Sequence, residues 1–445
     1  MALLSSLLSL VLAGLAAARQ CSNFLIPVDI NSRQGQFKEI TVESNLDVGG
    51  FATKLNEFQT NYTATLLEGY QTLSGTFQIS AQYCRPDRGS SGTIQVLTHG
   101  IGFDKTYWDL DYDNYAYSYV NTALEAGYST LAIDRFGIGN SSHGDPLNDI
   151  QAPAEVEALH AVTLKLRQGK IKQIDSAYGK VIHVGHSFGS VQSYWLSALY
   201  PNSTDGVILT GYSAAGSFLP YIVAGWNLHS ARLNQPLRFG NASNAVVNKL
   251  AAQYGLKTDL AASLQKLLVQ GGVNLSLQEV GDIVSSTEIL DLITGYNTSV
   301  ISYDYPPGYL TSSDLTALQY AFLYPKMYEL GLALEAEQTK QPVTTGELLT
   351  IGSAPASSPF SGPVLVITGE YDVPFCGGNC YAQLPGSNTK TASIPAGVAE
   401  AYPSASSFEA YIQPGTGHGL TFQRNATAGY EVIQRFLAEN GLAAS

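Results

Sequence analysis

The stretch that most constrains what this chain can fold into is Val181-Ile182-His183-Val184-Gly185-His186-Ser187-Phe188-Gly189-Ser190. It reads as a short buried strand, a Gly-x-Ser-x-Gly turn, and a helix beginning near Val191. A strand that runs into a helix through so tight a turn leaves the Ser187 hydroxyl exposed at its apex. Gly185 and Gly189 stand where a Cβ would crowd the folded-back chain. In a chain with 43 glycines the pattern alone means little. The apolar run before it and the amphipathic run after it give it weight.

Strands and helices alternate around this stretch. Residues 93–98 form a strand closing at His99-Gly100-Ile101-Gly102, 117–126 a helix, 129–134 a strand, and 154–167 a helix. The helix 191–198 and the strand 205–211 follow. Such alternation predicts right-handed crossovers and an α/β fold with a mostly parallel central sheet, helices covering both faces. From 214 to 360 the pattern stops and the sequence becomes helix-like and aromatic-rich, as in 245–254, 259–269, 277–284 and 315–338, the last interrupted at Pro325. It resumes with strands at 363–368 and 407–412 and a helix at 428–439. The expected layout is therefore a leader (1–18), an N-terminal extension with first strands (19–92), core (93–213), a helical lid or cap (214–360), and the rest of the core (361–445). A separate domain at 214–360 is the second choice, because the sheet needs strands from beyond it. Within the extension, 76–83 alternates as an edge strand would.

The leader carries an apolar run from Leu3 to Leu15 followed by Ala16-Ala17-Ala18, the form of a cleaved signal peptide. The run falls short of the roughly 20 residues a bilayer requires. Sequons at Asn61, Asn140, Asn202, Asn241, Asn274, Asn297 and Asn425 suit a glycoprotein of the secretory pathway, outside the cell or in its lumen. The four cysteines are expected to pair as Cys376 with Cys380 and Cys21 with Cys84. Neither pair has the companions zinc would need, so no metal is expected. A net charge of -13 without a Lys/Arg cluster argues against a nucleic-acid partner. No later segment suits stable membrane insertion, and the oligomeric state is left open.

A serine hydroxyl becomes a nucleophile only when a base takes its proton and a third group orients that base. Open parallel sheets place such groups on loops beyond the strands' C-terminal ends. Asp372 follows the strand ending at Thr368, in Gly369-Glu370-Tyr371-Asp372, with Glu370 as its nearest competitor. His418 follows the last strand between two glycines, in Gly417-His418-Gly419. His186 is read as structural, pointing away from the turn. For a developing oxyanion the donors expected are the backbone N–H of Phe188 and that of Ile101, with Gly102 as the alternative. The Asp134–Ser141 segment is read as a structural turn, and the lid aromatics, among them Trp226, Tyr296, Tyr303, Tyr305, Tyr309, Tyr320 and Tyr324, either line an acyl pocket or pack the lid.

Taken together, His99-Gly100, the Asp134–Ser141 turn, Gly185-His186-Ser187-Phe188-Gly189, Gly369-x-x-Asp372 and Gly417-His418 make the chain resemble secreted α/β-hydrolase fold enzymes, serine esterases and lipases of the kind familiar from fungi. The resemblance covers 93–213 and 363 onward, and the order Ser187, Asp372, His418 is the one this fold carries. It implies hydrolysis of a carboxylic ester, or a lactone, through an acyl-enzyme, on a small apolar substrate and without a cofactor. Dehalogenases and epoxide hydrolases of this fold place Asp where Ser187 stands. The resemblance also leaves open a tailoring hydrolase, or a non-hydrolytic relative, in natural-product biosynthesis. A binding protein that kept the fold without its chemistry is the minor alternative. A Cys376–Cys380 bridge would stiffen the loop that carries Asp372.

Overall fold

In a computed structural model, the protein is described over residues 19–87, 92–240, 304–384 and 392–444. The leader and the lid helices expected at 245–254, 259–269 and 277–284 lie outside these residues. The chain opens with β1 (Gln20–Phe37) and, after α1 (Asn45–Leu55), returns as β2 (Leu67–Arg85) to form a long antiparallel hairpin. Ile26, Val28 and Ile30 alternate inward along β1, as one-sided burial of a strand requires. Cys21 and Cys84 face each other across this hairpin and are disulfide-bonded.

The core strands follow: β3 (Thr93–Thr98), β4 (Ser129–Ile133), β5 (Lys180–His186) and β6 (Gly206–Thr210), joined by α2 (Tyr119–Glu125), α3 (Ala152–Arg167) and α4 (Phe188–Leu199). The insertion contributes α5 (Leu219–Trp226), α6 (Leu315–Phe322), α7 (Leu330–Gln338) and α8 (Thr345–Thr350), together with short strands β7 (His229–Ser230), β8 (Tyr309–Thr311) and β9 (Val343–Thr344). Then come β10 (Pro363–Gly369), the single-turn α9 (Val373–Cys376), β11 (Ser407–Gln413) and α10 (Ala426–Glu439).

The main sheet has eight strands in the order β1-β2-β4-β3-β5-β6-β10-β11, parallel from β4 to β11. The chain steps from β3 to β4 in one direction and from β4 past β3 to β5 in the other. With right-handed crossovers, α2 and α3 must therefore cover opposite faces, and α4 falls on the side of α3. The packing agrees, since α3 lies against α4 and α2 against α10. Strands β3 to β6 and β10 are buried on both faces, which is why they read as largely apolar runs without in/out alternation, with Gln95 in β3 and His183 in β5 as buried polar exceptions.

Three sequence expectations need correction. Residues 76–83 are not an edge: they lie in β2, which pairs with β4 on its other side, and β1 is the edge strand. The helix after Ser187 starts at Phe188 rather than near Val191. The insertion is not purely helical, because β7, β8 and β9 form a small antiparallel sheet.

Candidate active site

Ser187 sits between β5 and α4 with φ 54° and ψ -117°, a conformation an L-residue adopts only under compulsion. The compulsion comes from packing on both sides. A Cβ on Gly185 would lie 2.3 Å from the Gly189 carbonyl oxygen, and one on Gly189 2.1 Å from that of Thr98. Only glycines let the strand, the turn and the β3 loop approach so closely.

His418 follows β11, and Asp372 follows β10 as the N-cap of α9. The His418 Nδ1–H donates to Asp372 Oδ2 at 2.7 Å. Asp372 is fully buried and accepts two further bonds, from Thr368 Oγ1 at 2.5 Å and from the Phe375 N–H at 2.8 Å. Its competitor Glu370 is engaged elsewhere, taking the Gly415 N–H. The two loops touch backbone to backbone, since a Cβ on Gly369 would meet the Gly417 carbonyl oxygen at 2.1 Å. Cys376 and Cys380 close the Asp372 loop with a disulfide.

On its other edge, His418 Nε2 is buried and has no hydrogen-bond partner among the described residues. Ser187 and His418 line one cavity of about 270 Å³, at the small end of ligand pockets. Asp372 and His418 are thus joined directly, whereas Ser187 shares the cavity with His418 without a hydrogen bond between them.

The remaining wall is mostly aliphatic, with Leu219, Ile222, Val223, Leu348, Leu349 and Ile351 from the insertion and Phe375 from the Asp372 loop. Of the lid aromatics in the described residues, only Trp226 reaches it. Tyr305 and Tyr309 pack on one another and on His143, Tyr320 is exposed, and Tyr324 stacks on Tyr371. Tyr296 and Tyr303 lie outside the described residues. Leu55, Asn56 and Thr63, from the N-terminal segment between β1 and β2, complete the wall. Sequence reasoning missed them, because nothing in their spacing links them to a site formed after residue 93.

The β3 loop is pressed against the serine: a Cβ on Gly100 would come 2.8 Å from Ser187 Cβ. His99 Nδ1–H donates to the Gly100 carbonyl at 2.8 Å while Nε2 accepts the Arg135 N–H at 3.0 Å. Burial, aided by the Arg135 charge, holds His99 down to about 3, so the ring stays neutral and can play both parts. The Gly100 carbonyl and the Ile101 N–H belong to one planar peptide, so fixing the first fixes the second. Among the described residues the amides of Phe188, Ile101 and Gly102 donate to no other backbone or side-chain group.

His186 does not point away as expected. It lies flat on Tyr107, with its ring centroid 4.8 Å from that of His418, and its Nδ1 meets Thr210 Oγ1. Burial, with His418 and His99 nearby, holds it well below the usual histidine range. The Asp134 turn is more than a turn. Asp134 binds Lys105 Nζ at 2.8 Å, and Arg135 is buried between Glu155 and Glu347. Of the sequons, Asn61 and Asn202 are exposed. Asn140 and Asn425 are partly buried, and the Asn425 amide donates to the Pro414 carbonyl beside the His418 loop. Asn241, Asn274 and Asn297 lie outside the described residues.

Comparison with known proteins gives this arrangement its setting. Solved structures similar to the chain include an esterase from Thermogutta terrifontis (12% identity, 82% of this chain and 94% of that one, TM-score 0.40). Others are potato (Solanum tuberosum) epoxide hydrolase I (16%, 82% and 96%, 0.41) and Est1E from Butyrivibrio proteoclasticus with ferulic acid bound (12%, 82% and 96%, 0.41). Among curated proteins no match was found. The model of the alpha/beta hydrolase family matches residues 95–428, from the middle of β3 to the start of α10, and so takes in Ser187, Asp372 and His418. The chain is a member of the alpha/beta hydrolase family, and its fold is the α/β-hydrolase fold.

Proposed function

We propose that this hydrolase cleaves carboxylic esters, or lactones, with a small aliphatic acyl group, using Ser187 as nucleophile, His418 as general base and acid, and Asp372 to orient His418. The observation that carries the reading is the two-sided placement of His418. Its Nδ1 is tied to a fully satisfied Asp372, and its unpartnered Nε2 is buried beside the cavity shared with Ser187. As Ser187 Oγ adds to the ester carbonyl carbon, its proton passes to Nε2 and the π pair moves onto the carbonyl oxygen. The N–H groups of Phe188 and Ile101 stabilise that oxygen. The imidazolium, steadied by Asp372, returns the proton to the leaving oxygen as the C–O bond breaks. A water activated by the same nitrogen then adds to the acyl-enzyme, releasing the acid and restoring Ser187.

No step draws on a cofactor. The small, aliphatic wall supports a short to medium acyl chain over a long or aromatic one. The serine at the elbow, where epoxide hydrolases of this fold carry aspartate, supports acyl transfer over epoxide opening. Two disulfides support folding in an oxidising compartment, consistent with the apolar leader and the sequons. Hydrolysis of p-nitrophenyl esters of graded acyl length tests the reading. Turnover greatest for short to medium chains and abolished in Ser187→Ala is expected. Turnover that survives in purified Ser187→Ala would overturn it.

A further inference from the structure

Behind the turn that carries Ser187 lies a cluster of charged side chains that the mechanism does not use. Arg135, Glu155 and Glu347 are all buried, and they come from the turn after β4, from α3 and from α8 of the insertion. Arg135 Nη1 meets both oxygens of Glu155 at 3.1 Å and also Glu347 Oε1. Gln192 of α4 donates to Glu155, and Glu347 closes the capping box at the start of α8, accepting the Thr344 N–H at 2.6 Å. Burial, with the Glu347 carboxylate alongside, pushes Glu155 well above the usual carboxylate range, against the pull of Arg135.

Such a cluster is weak as a source of stability, because the cost of taking its charges out of water rivals their attraction. Its position suggests another role. The Arg135 guanidinium lies 4.8 Å from the ring centroid of Phe188, the residue whose N–H is one expected oxyanion donor. The Arg135 N–H holds His99, which holds the Gly100 carbonyl and with it the peptide of the Ile101 N–H, the other donor. One residue therefore braces both donors, and the two carboxylates fix that residue in place.

We propose that Arg135, clamped by Glu155 and by Glu347 of the insertion, is the positioning residue that aims the Phe188 and Ile101 amides at the oxyanion. The inference rests on the reading of Ser187 as nucleophile. A merely structural cluster would change stability and leave the chemistry of the folded enzyme alone. Mis-aimed donors lower kcat with little change in KM, and they weaken any ligand that presents a tetrahedral oxyanion.

The test uses the full-length protein, p-nitrophenyl butyrate, and an alkylboronic acid, which forms a tetrahedral adduct on an active serine. Arg135→Met is expected to lower kcat by about 10- to 100-fold, short of losing a donor outright, and to weaken boronate affinity in proportion. KM should stay within about threefold. Arg135→Lys should recover part of the loss, and Glu347→Gln should show a smaller loss of the same kind. Should Arg135→Met fail to fold, the combination Arg135→Met, Glu155→Gln, Glu347→Gln leaves no buried charge unpaired and serves in its place. Folded variants that keep kcat and boronate affinity within about twofold of the parent would overturn the proposal. If the parent itself neither turns over the ester nor binds the boronate, the assignment of Ser187 fails first and the proposal fails with it.

Discussion

Asp372 accepts hydrogen bonds from His418, Thr368 and the Phe375 amide, and none of its capacity is spent on solvent. Asp372→Asn would keep the shape but offer an N–H where His418 needs an acceptor, favouring the wrong tautomer. By analogy with other triads, kcat should fall by about 10⁴-fold with the fold intact. Circular dichroism and steady-state turnover check this together, and a loss under tenfold would argue against the role. Gly100 is as constrained sterically as Asp372 is chemically. Gly100→Ala would push its Cβ to 2.8 Å from Ser187 Cβ. A shift of the β3 loop by a fraction of an ångström to an ångström should cost about 10²-fold in kcat/KM, with thermal stability reporting whether the fold has moved as well. At this scale Ser187, Asp372 and His418 could be singled out as candidates because each follows a strand in a short glycine-containing motif. Arg135 could not, because its two carboxylate partners lie 20 and 212 positions away and nothing local marks them as neighbours.

The core elements were legible for a similar reason. β3, β5 and β10 are buried on both faces, so their sequences are largely apolar runs with a glycine at or near the end. The β1–β2 hairpin was harder to read, since half of each strand faces solvent and its register depends on partners 30 to 65 residues away. For the wall of the cavity the sequence left two readings open, aromatics that line it or aromatics that pack the lid. Aromatic residues stood out in the insertion, yet Tyr305 and Tyr309 pack internally while Leu348, Leu349 and Val223 line the site. Leu349→Phe, which narrows a cavity of about 270 Å³, should shift the preferred p-nitrophenyl ester to shorter acyl chains without lowering turnover of the acetate more than severalfold. An unchanged chain-length profile would place the acyl group elsewhere. The Cys376–Cys380 bridge closes a loop of only a few residues, so replacing both with serine should cost about 2 kcal/mol at most by chain entropy, measurable by denaturant unfolding. A larger fall in kcat than in stability would show that the bridge serves the Asp372 loop.

For the molecule as a whole, the buried histidines make stability depend on pH. Burial holds His99 and His183 down to about 3 and His186 well below its usual range, whereas each would protonate near 6.5 in the unfolded chain. As pH falls below about 6.5 the unfolded chain takes up protons that the folded one refuses, so stability present above that pH is progressively lost. Glu155 opposes this trend. Raised in the fold, it keeps a proton that the unfolded chain releases, and its contribution shrinks as pH rises through its folded value. His183 lies away from the site, with Nε2 against Thr163 Oγ1. His183→Gln should remove one proton from the linkage, reducing the slope of unfolding free energy by about 1.4 kcal/mol per pH unit between about pH 5 and 6. An unchanged slope would mean that His183 is not kept neutral in the fold.

Whether Ser187, His418 and Asp372 act as one unit at an accessible site is tested most directly by covalent labelling. The folded protein is treated with a fluorophosphonate probe, which reacts only with a serine whose proton a neighbouring base can take, and the adduct is mapped by peptide mass spectrometry. Modification is expected at Ser187 alone, lost in Ser187→Ala and slowed by orders of magnitude in a folded His418→Ala. A folded parent that takes no label, or labelling of Ser187 that proceeds at the same rate without His418, would contradict their acting as one unit.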